Sequence, residues 1–326
     1  MKKMSSILTS ATLIILCIVN FSVAATEYPS KPITLILPTA PGGIGDLFGR
    51  GFASVTEKLL GKPIVVVNKP GASGQLGLTA CVQAAPDGHT LAVSACSDLY
   101  AMSWEMMNGR KPLVTRNDLI YIGAFTKSPH VITVPYNSPW KTLADLINDG
   151  KAKPDHYAFG SGGQYGAVHV LTEILMRTAG LKFRHVPYAG GGQIVSALVG
   201  NHIDFATTTA GSTIPLARGQ KVRILAVTGE TRYRLIPDIP TAKELGIDME
   251  FYGWIGIVAS QKTPATIVEK LSEVFKKVTE DKSFINVVEN AGEVVNPMDK
   301  NELAKFMDMD LERVEQLYKQ LIQEKK

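Results

Sequence analysis

Cysteine and tryptophan are scarce in this chain, three of each in 326 residues, and lysine and arginine are spread without forming a block. Each scarcity removes a class of function. Without a basic stripe there is no electrostatic footprint for nucleic acid. Cys17 falls in an N-terminal apolar run, which leaves Cys81 and Cys96, and neither has a nearby pair of histidines to complete a zinc site. In an oxidising compartment these two could pair, which the chain-entropy model values at roughly 3 kcal/mol. The small apolar settings TACVQAA and VSACS suit two buried thiols equally well. The apolar run ATLIILCIV (11–19) is too short to cross a bilayer, and no second one follows. The phosphate-loop pattern G-x-x-x-x-G-K-[ST] and the nucleophile-elbow pattern G-x-S-x-G do not occur.

What is present begins with an export signal. Lys2 and Lys3 precede the apolar run, and Ser22-Val23-Ala24 and Val23-Ala24-Ala25 follow it with small residues at a cleavage point. Residues 1–25 therefore read as a secretory signal peptide and the protein as periplasmic. A lipid anchor on Cys17 is disfavoured, because Leu16 precedes it and it lies inside the apolar core. Removing Lys2 and Lys3 takes the net charge from +4 to +2. The remaining length suits two domains.

Strand and helix patterns alternate. ITLIL (33–37) is followed by Phe48, Phe52, Val55 and Leu59 on one helical face, stopped by Gly61. PIVVVN (63–68) and HTLAVSA (89–95) are further strands, separated by a helix that the loop KPGASGQLG (69–77) opens. Two short apolar runs, LIYIGAF and VITV, occupy 117–134. A second set follows: strand HYAFG (156–160), helix 165–180, strand FRHVPY (183–188), helix 193–200, then strands 202–208 and 222–228. This order predicts doubly wound α/β sheets, with hinge-like segments near 125–130 and 250. Thr263 and Pro264 open an amphipathic helix, and Leu303, Met307, Leu311, Val314, Leu317 and Leu321 mark a last one. These C-terminal helices are expected to return to the first domain. The domains are then 26–126 plus 252–326, and 127–251, with two crossings and a cleft.

Four glycine-rich turns follow strands: APGGIGD (40–46), KPGASGQLG (69–77), GSGGQYG (160–166) and YAGGG (188–192). At the carboxyl ends of strands, helix N-termini offer unpaired N–H groups and partial positive charge, and so can hold an anion. The same turns can equally be plain connections. GIGDLFG (43–49) and GSGGQYG are G-x-G-x-x-x-G, one residue too long for a dinucleotide fingerprint. Asp46 suits a helix cap and could also hold a hydroxyl, an amine or a water. His169 reads either as a donor into a cleft or as a half-exposed helix residue. A secreted hydrolase using Ser161 or His169 is the rival from another class, and a sensor for a membrane signalling partner is a third reading.

YPSKPITLILPTAPGGIGD (28–46), VVVNKPGASGQLG (65–77), AAPDGHTLAVS (84–94), FGSGGQYGAVHVLTEIL (159–175), FRHVPYAGGG (183–192) and RYRLIPDIPTAKELG (232–246) resemble the Bug family. These are periplasmic solute-binding receptors of tripartite tricarboxylate transporters. The resemblance implies a periplasmic-binding-protein type II-like fold, a small carboxylate held in the cleft and delivery to membrane permease subunits. It implies no catalysis, cofactor or metal, and a monomer is expected. Carried over, the ligand loops are Thr39, Pro41, Gly42, Gly43, Ile44, Gly45 and Asp46, and Ser161, Gly162, Gly163, Gln164, Tyr165 and His169. Tyr188, Gly190 and Thr207 would complete the wall. Thr39, Ala189 and the ATTT after IDF depart from the family pattern and imply a less charged, roomier pocket.

Overall fold

The structure, a computed structural model, describes residues 28–163, 166–188 and 190–323. The signal peptide, Cys17, Gln164 and Tyr165 lie outside the described residues. Lys31–Lys326 form one compact unit, to which everything below refers.

The first α/β set is β1 (Ile33–Leu37), α1 (Ile44–Leu60), β2 (Ile64–Asn68), α2 (Gln75–Gln83), β3 (Thr90–Ala95) and α3 (Cys96–Met107). β1 lies between β2 and β3 and is parallel to both, so their carboxyl ends open on one edge. The second set is α4 (Leu143–Ala152), β5 (Ala158–Ser161), α5 (Ala167–Ala179), β6 (Arg184–Pro187), α6 (Gly191–Val199), β7 (Ala206–Thr209), α7 (Ala210–Arg218) and β8 (Val222–Val227). β5 pairs in parallel with β6, and Phe159 bridges to Phe205 just before β7. The α/β pattern thus runs twice, as its periodicity predicts.

The two short apolar runs at 117–134 are in fact one strand. β4 (Leu119–Pro135) is 17 residues long. Its first part, through Pro129, pairs antiparallel with β9 (Tyr252–Ser260). From His130 onward it pairs with β7 and β8 instead. Pro129 has no N–H to give a ladder and stands at this change of partner. Irregularities in register at 121–123, 124–126 and 132–133 let the strand serve both sheets. β9 also pairs with β3, so both crossing strands are built into the first sheet.

The C-terminal helices pack against α1 and the first part of β4. α8 (Ala265–Glu280) and α9 (Lys282–Asn290) place Phe275 and Phe284 against Phe125 of β4, each with ring centroids 5.0 Å apart. Phe48 and Phe52 of α1 complete the cluster. Such pairs contribute about 0.5–1.5 kcal/mol each beyond area burial. β10 (Met298–Asp299) pairs with β4, and α10 (Lys300–Gln323) sets Tyr318 on Trp104 of α3. Two details differ from the pattern. Leu59 is exposed, and the buried face of α1 ends at Val55 and Thr56. The cap of α8 is Pro264 rather than Thr263, with the carbonyl of Pro264 accepting from Ile267 and Val268. Cys81 and Cys96 are buried free thiols, and burial pushes each up to about 12.

Gly256 lies where the crossing strands meet. A Cβ there would stand 2.1 Å from the Gly123 carbonyl oxygen and 2.9 Å from Ala124 Cα, and neither backbone group can step aside. Gly256→Ala is expected to lose about 3 kcal/mol or more of stability in urea unfolding. Gly43→Ala, with its nearest neighbour at 3.7 Å, meets no clash and is expected to lose only about 1 kcal/mol, the cost of alanine at a helix N-cap.

Candidate ligand-binding site

The loop after β1 turns at Gly42, whose φ of +85° favours glycine. α1 begins at Ile44 with Gly43 as its cap, and no side chain caps it. The N–H groups of Ile44, Gly45 and Asp46 therefore lie at a helix N-terminus that attracts anions. Asp46 is not the cap residue; it is the third residue of the helix. Its carboxylate accepts from the Gly42 N–H at 3.0 Å, Arg50 Nε at 3.0 Å and Asn68 Nδ2 at 2.9 Å. Asn68 Nδ2 also reaches the Thr39 carbonyl at 3.0 Å. Burial pushes the Asp46 carboxyl up, but Arg50, the Gly42 N–H and Asn68 outweigh it and hold it below the usual value. Asp46 is thus spent on the loop itself. Thr39 packs on Gly45, and its buried Oγ1 has no hydrogen-bond partner among the described residues.

The loop after β5 repeats the device. α5 is capped by Gly166 with no side-chain bond. Ser161 Oγ donates to the Gly163 carbonyl at 2.9 Å, across a turn in which Gly163 has φ +117°. α6 starts from Gly190, again without a side-chain cap. Gly162 lies beside Gly190, and Tyr188 lies against Gly160 while its N–H donates to the Ser161 carbonyl.

The two sets of loops face each other. A Cβ on Gly163 would come within 3.1 Å of Ser73 Oγ, and one on Gly166 within 4.0 Å of Ser97 Cβ. One on Gly211, in the first turn of α7, would stand 2.5 Å from Ile44 Cδ1. Ser73 and Ser97 are absent from the sequence-derived set. The rule that found the other loops, strand end before helix, applies to β2 and β3 as well. Pro41 is exposed at the rim.

Three of the expected ligand residues are turned inward. Thr207 is fully buried; its Oγ1 donates to the Val168 carbonyl at 3.1 Å and meets Thr172 Oγ1 at 2.8 Å, so it braces α5 from behind. His169 is buried, with Nε2 3.6 Å from Glu173. Ser161 is also fully buried. Its imidazole partner is His185, at 2.6 Å, rather than His169. Among the described residues no His, Cys, Asp and Glu cluster could hold a metal, and no helix is long and apolar enough to cross a membrane. A groove of about 500 Å³ beside Lys127, Arg232 and Tyr252 lies away from these strand ends.

Two α/β lobes joined by crossing strands, each with a helix N-terminus that no side chain caps, have the frame of a two-lobed solute-binding protein. Residues 49–324 match the family described as the tripartite tricarboxylate transporter family receptor, and the chain belongs to that family. It is 35% identical over 254 residues to the "UPF0065 protein in gbd 5′ region" of Cupriavidus necator, covering 78% of this chain and 76% of that one. It is 29% identical over 265 residues to BugT of Bordetella pertussis, covering 81% of each. Among solved structures, MatC of Rhodopseudomonas palustris with bound malate superposes with a TM-score of 0.81 at 25% identity, covering 89% of this chain and 100% of that one. The family is one of periplasmic receptors that work with the membrane subunits of the transporter. It asks no covalent chemistry of Ser161 or His169.

Asp46→Ala strands the Gly42 N–H and Asn68 and is expected to cost about 2 kcal/mol; Arg50, half exposed, adds little. The folded carboxyl sits below the unfolded value of 3.8. Its contribution is therefore complete above pH 3.8 and is lost as pH falls through the folded value. Urea unfolding of the wild type and variant at pH 7 and at pH 3 should show the gap between them shrink at acid pH.

Proposed function

We propose that this protein is an extracytoplasmic receptor that closes on a small organic carboxylate and presents it to the permease subunits of a tripartite transporter. The observation that carries the reading is the pair of helix N-termini, α1 behind Gly43 and α5 behind Gly166, one from each lobe and neither capped by a side chain. Backbone N–H groups and helix dipoles stabilise an anion without a committed cation. MatC, a relative in fold and sequence, was solved with malate, and a dicarboxylate has one carboxylate for a helix N-terminus of each lobe. Thr39 Oγ1, Ser73 and Ser97 add neutral hydroxyls that select the body of the acid.

The lobes are residues 26–126 with 252–326, and residues 127–251, hinged where β4 changes partner and β9 begins. A ligand touching both lobes only when they are closed shifts the hinge equilibrium toward closure. The N-terminal 25 residues export the protein and are removed, and the mature receptor acts as a monomer. Nucleic acid, cofactors and metals play no part.

A thermal-shift screen of refolded mature protein against carboxylates tests this. An acid at a hundredfold excess over its dissociation constant stabilises the native state by about 2.7 kcal/mol. One or a few di- or tricarboxylates should raise the melting temperature. A shift with sugars, neutral amino acids or nucleotides and with no acid would overturn the carboxylate reading.

A further inference from the structure

Ser161 ends β5 at the root of the loop that faces Ser73 and Ser97, and its surroundings contain a proton inventory that closes in one way only. Its Oγ stands 2.9 Å from the Gly163 carbonyl oxygen and 2.6 Å from His185 Nε2. A carbonyl only accepts, so the one hydroxyl proton goes to Gly163. His185 must then donate from Nε2. The other tautomer would draw the hydroxyl proton to the ring and leave the Gly163 carbonyl without its donor.

We propose that His185 is a positioning residue for the ligand loop: as the Nε2–H tautomer it donates to Ser161, commits the Ser161 proton to Gly163, and so fixes the turn that sets Gly163 against Ser73 and Gly166 against Ser97. The inference rests on the reading that this loop meets the ligand. At Gly163, whose φ is +117°, glycine leaves many backbone conformations open, and the bond from Ser161 selects one of them.

The neighbours of His185 support a fixed, neutral ring. It is stacked on His169 of α5, centroids 4.2 Å apart, and on Phe159 of β5 at 5.0 Å. Burial first, then the facing His169, push it down to about 4, and Glu173 of α5 opposes them only in part. Parallel pairing explains the placement. β5 and β6 set Phe159 opposite His185 and Ser161 opposite Pro187, so Ser161 and His185 are diagonal neighbours on one face.

The test separates packing from donation. His185→Phe keeps a ring against Phe159 and His169 but has no donor. His185→Gln places an amide N–H near the Nε2 position. Affinities for malate and adipate are measured by calorimetry in wild type, both variants, Ser161→Ala and the double variant His185→Phe/Ser161→Ala. Expected is a loss of about tenfold for His185→Phe and for Ser161→Ala, recovery to within about threefold in His185→Gln, and a double variant no weaker than either single one. Equal behaviour of Phe and Gln, or additive losses in the double variant, overturns the proposal. Nitrogen-15 shifts of the imidazole at pH 7 provide a ligand-free readout: Nε2–H supports the proposal and Nδ1–H overturns it. If wild type binds neither acid, the carboxylate reading weakens, and the tautomer decides the positioning role alone.

Discussion

One strand governs this architecture. β4 runs 17 residues and serves first the sheet that holds β9 and then the sheet that holds β7 and β8. Both lobes are therefore hydrogen-bonded to the same piece of backbone. The strand is stiff where each sheet claims it and has its weakest ladder at Pro129, between the two. The phenylalanine cluster around Phe125 anchors one end of the strand, and the C-terminal helices are needed to build that cluster.

Given that frame, the proposed site is made of backbone. Each lobe presents a helix N-terminus behind a glycine, and the acidic groups nearby are occupied. Asp46 is held by Gly42, Arg50 and Asn68. Glu293, buried between the lobes, accepts the Gly211 N–H at 2.7 Å and Tyr233 Oη–H at 3.3 Å, and burial pushes its carboxyl up. It thereby takes the start of α7, where Gly211 also receives Ile44. On the proposed reading the uncapped starts of α1, α5 and α6 are open to an anion, while α7 already has a carboxylate of the protein's own.

Local pattern made the alternating α/β sets, the amphipathic C-terminal helices and the glycine loops legible. The period of apolar residues and the glycine stops are short-range signals. It did not reveal that 119–135 is a single strand, because a change of pairing partner leaves no local trace. Arg50 as a partner of Asp46 follows from i,i+4 spacing. Asn68 as the other partner follows only from the pairing of β1 with β2. Ser161 and His169 are near in sequence, yet Ser161 meets His185, because sheet pairing brings together what sequence separates. Thr207 looked like a wall residue at a strand end, and its hydroxyl instead braces α5. The site's class was readable from turns and termini, and its detailed membership was a matter of tertiary contact.

The central claim is that backbone N–H groups from both lobes hold one organic acid. Amide hydrogen exchange of the mature protein, with and without a saturating dicarboxylate, tests it most directly. The account predicts that protection rises together at the starts of α1 and α5, residues 44–46 and 166–168, with little change at α7. Protection at only one of the two helix starts, or at neither, would contradict it.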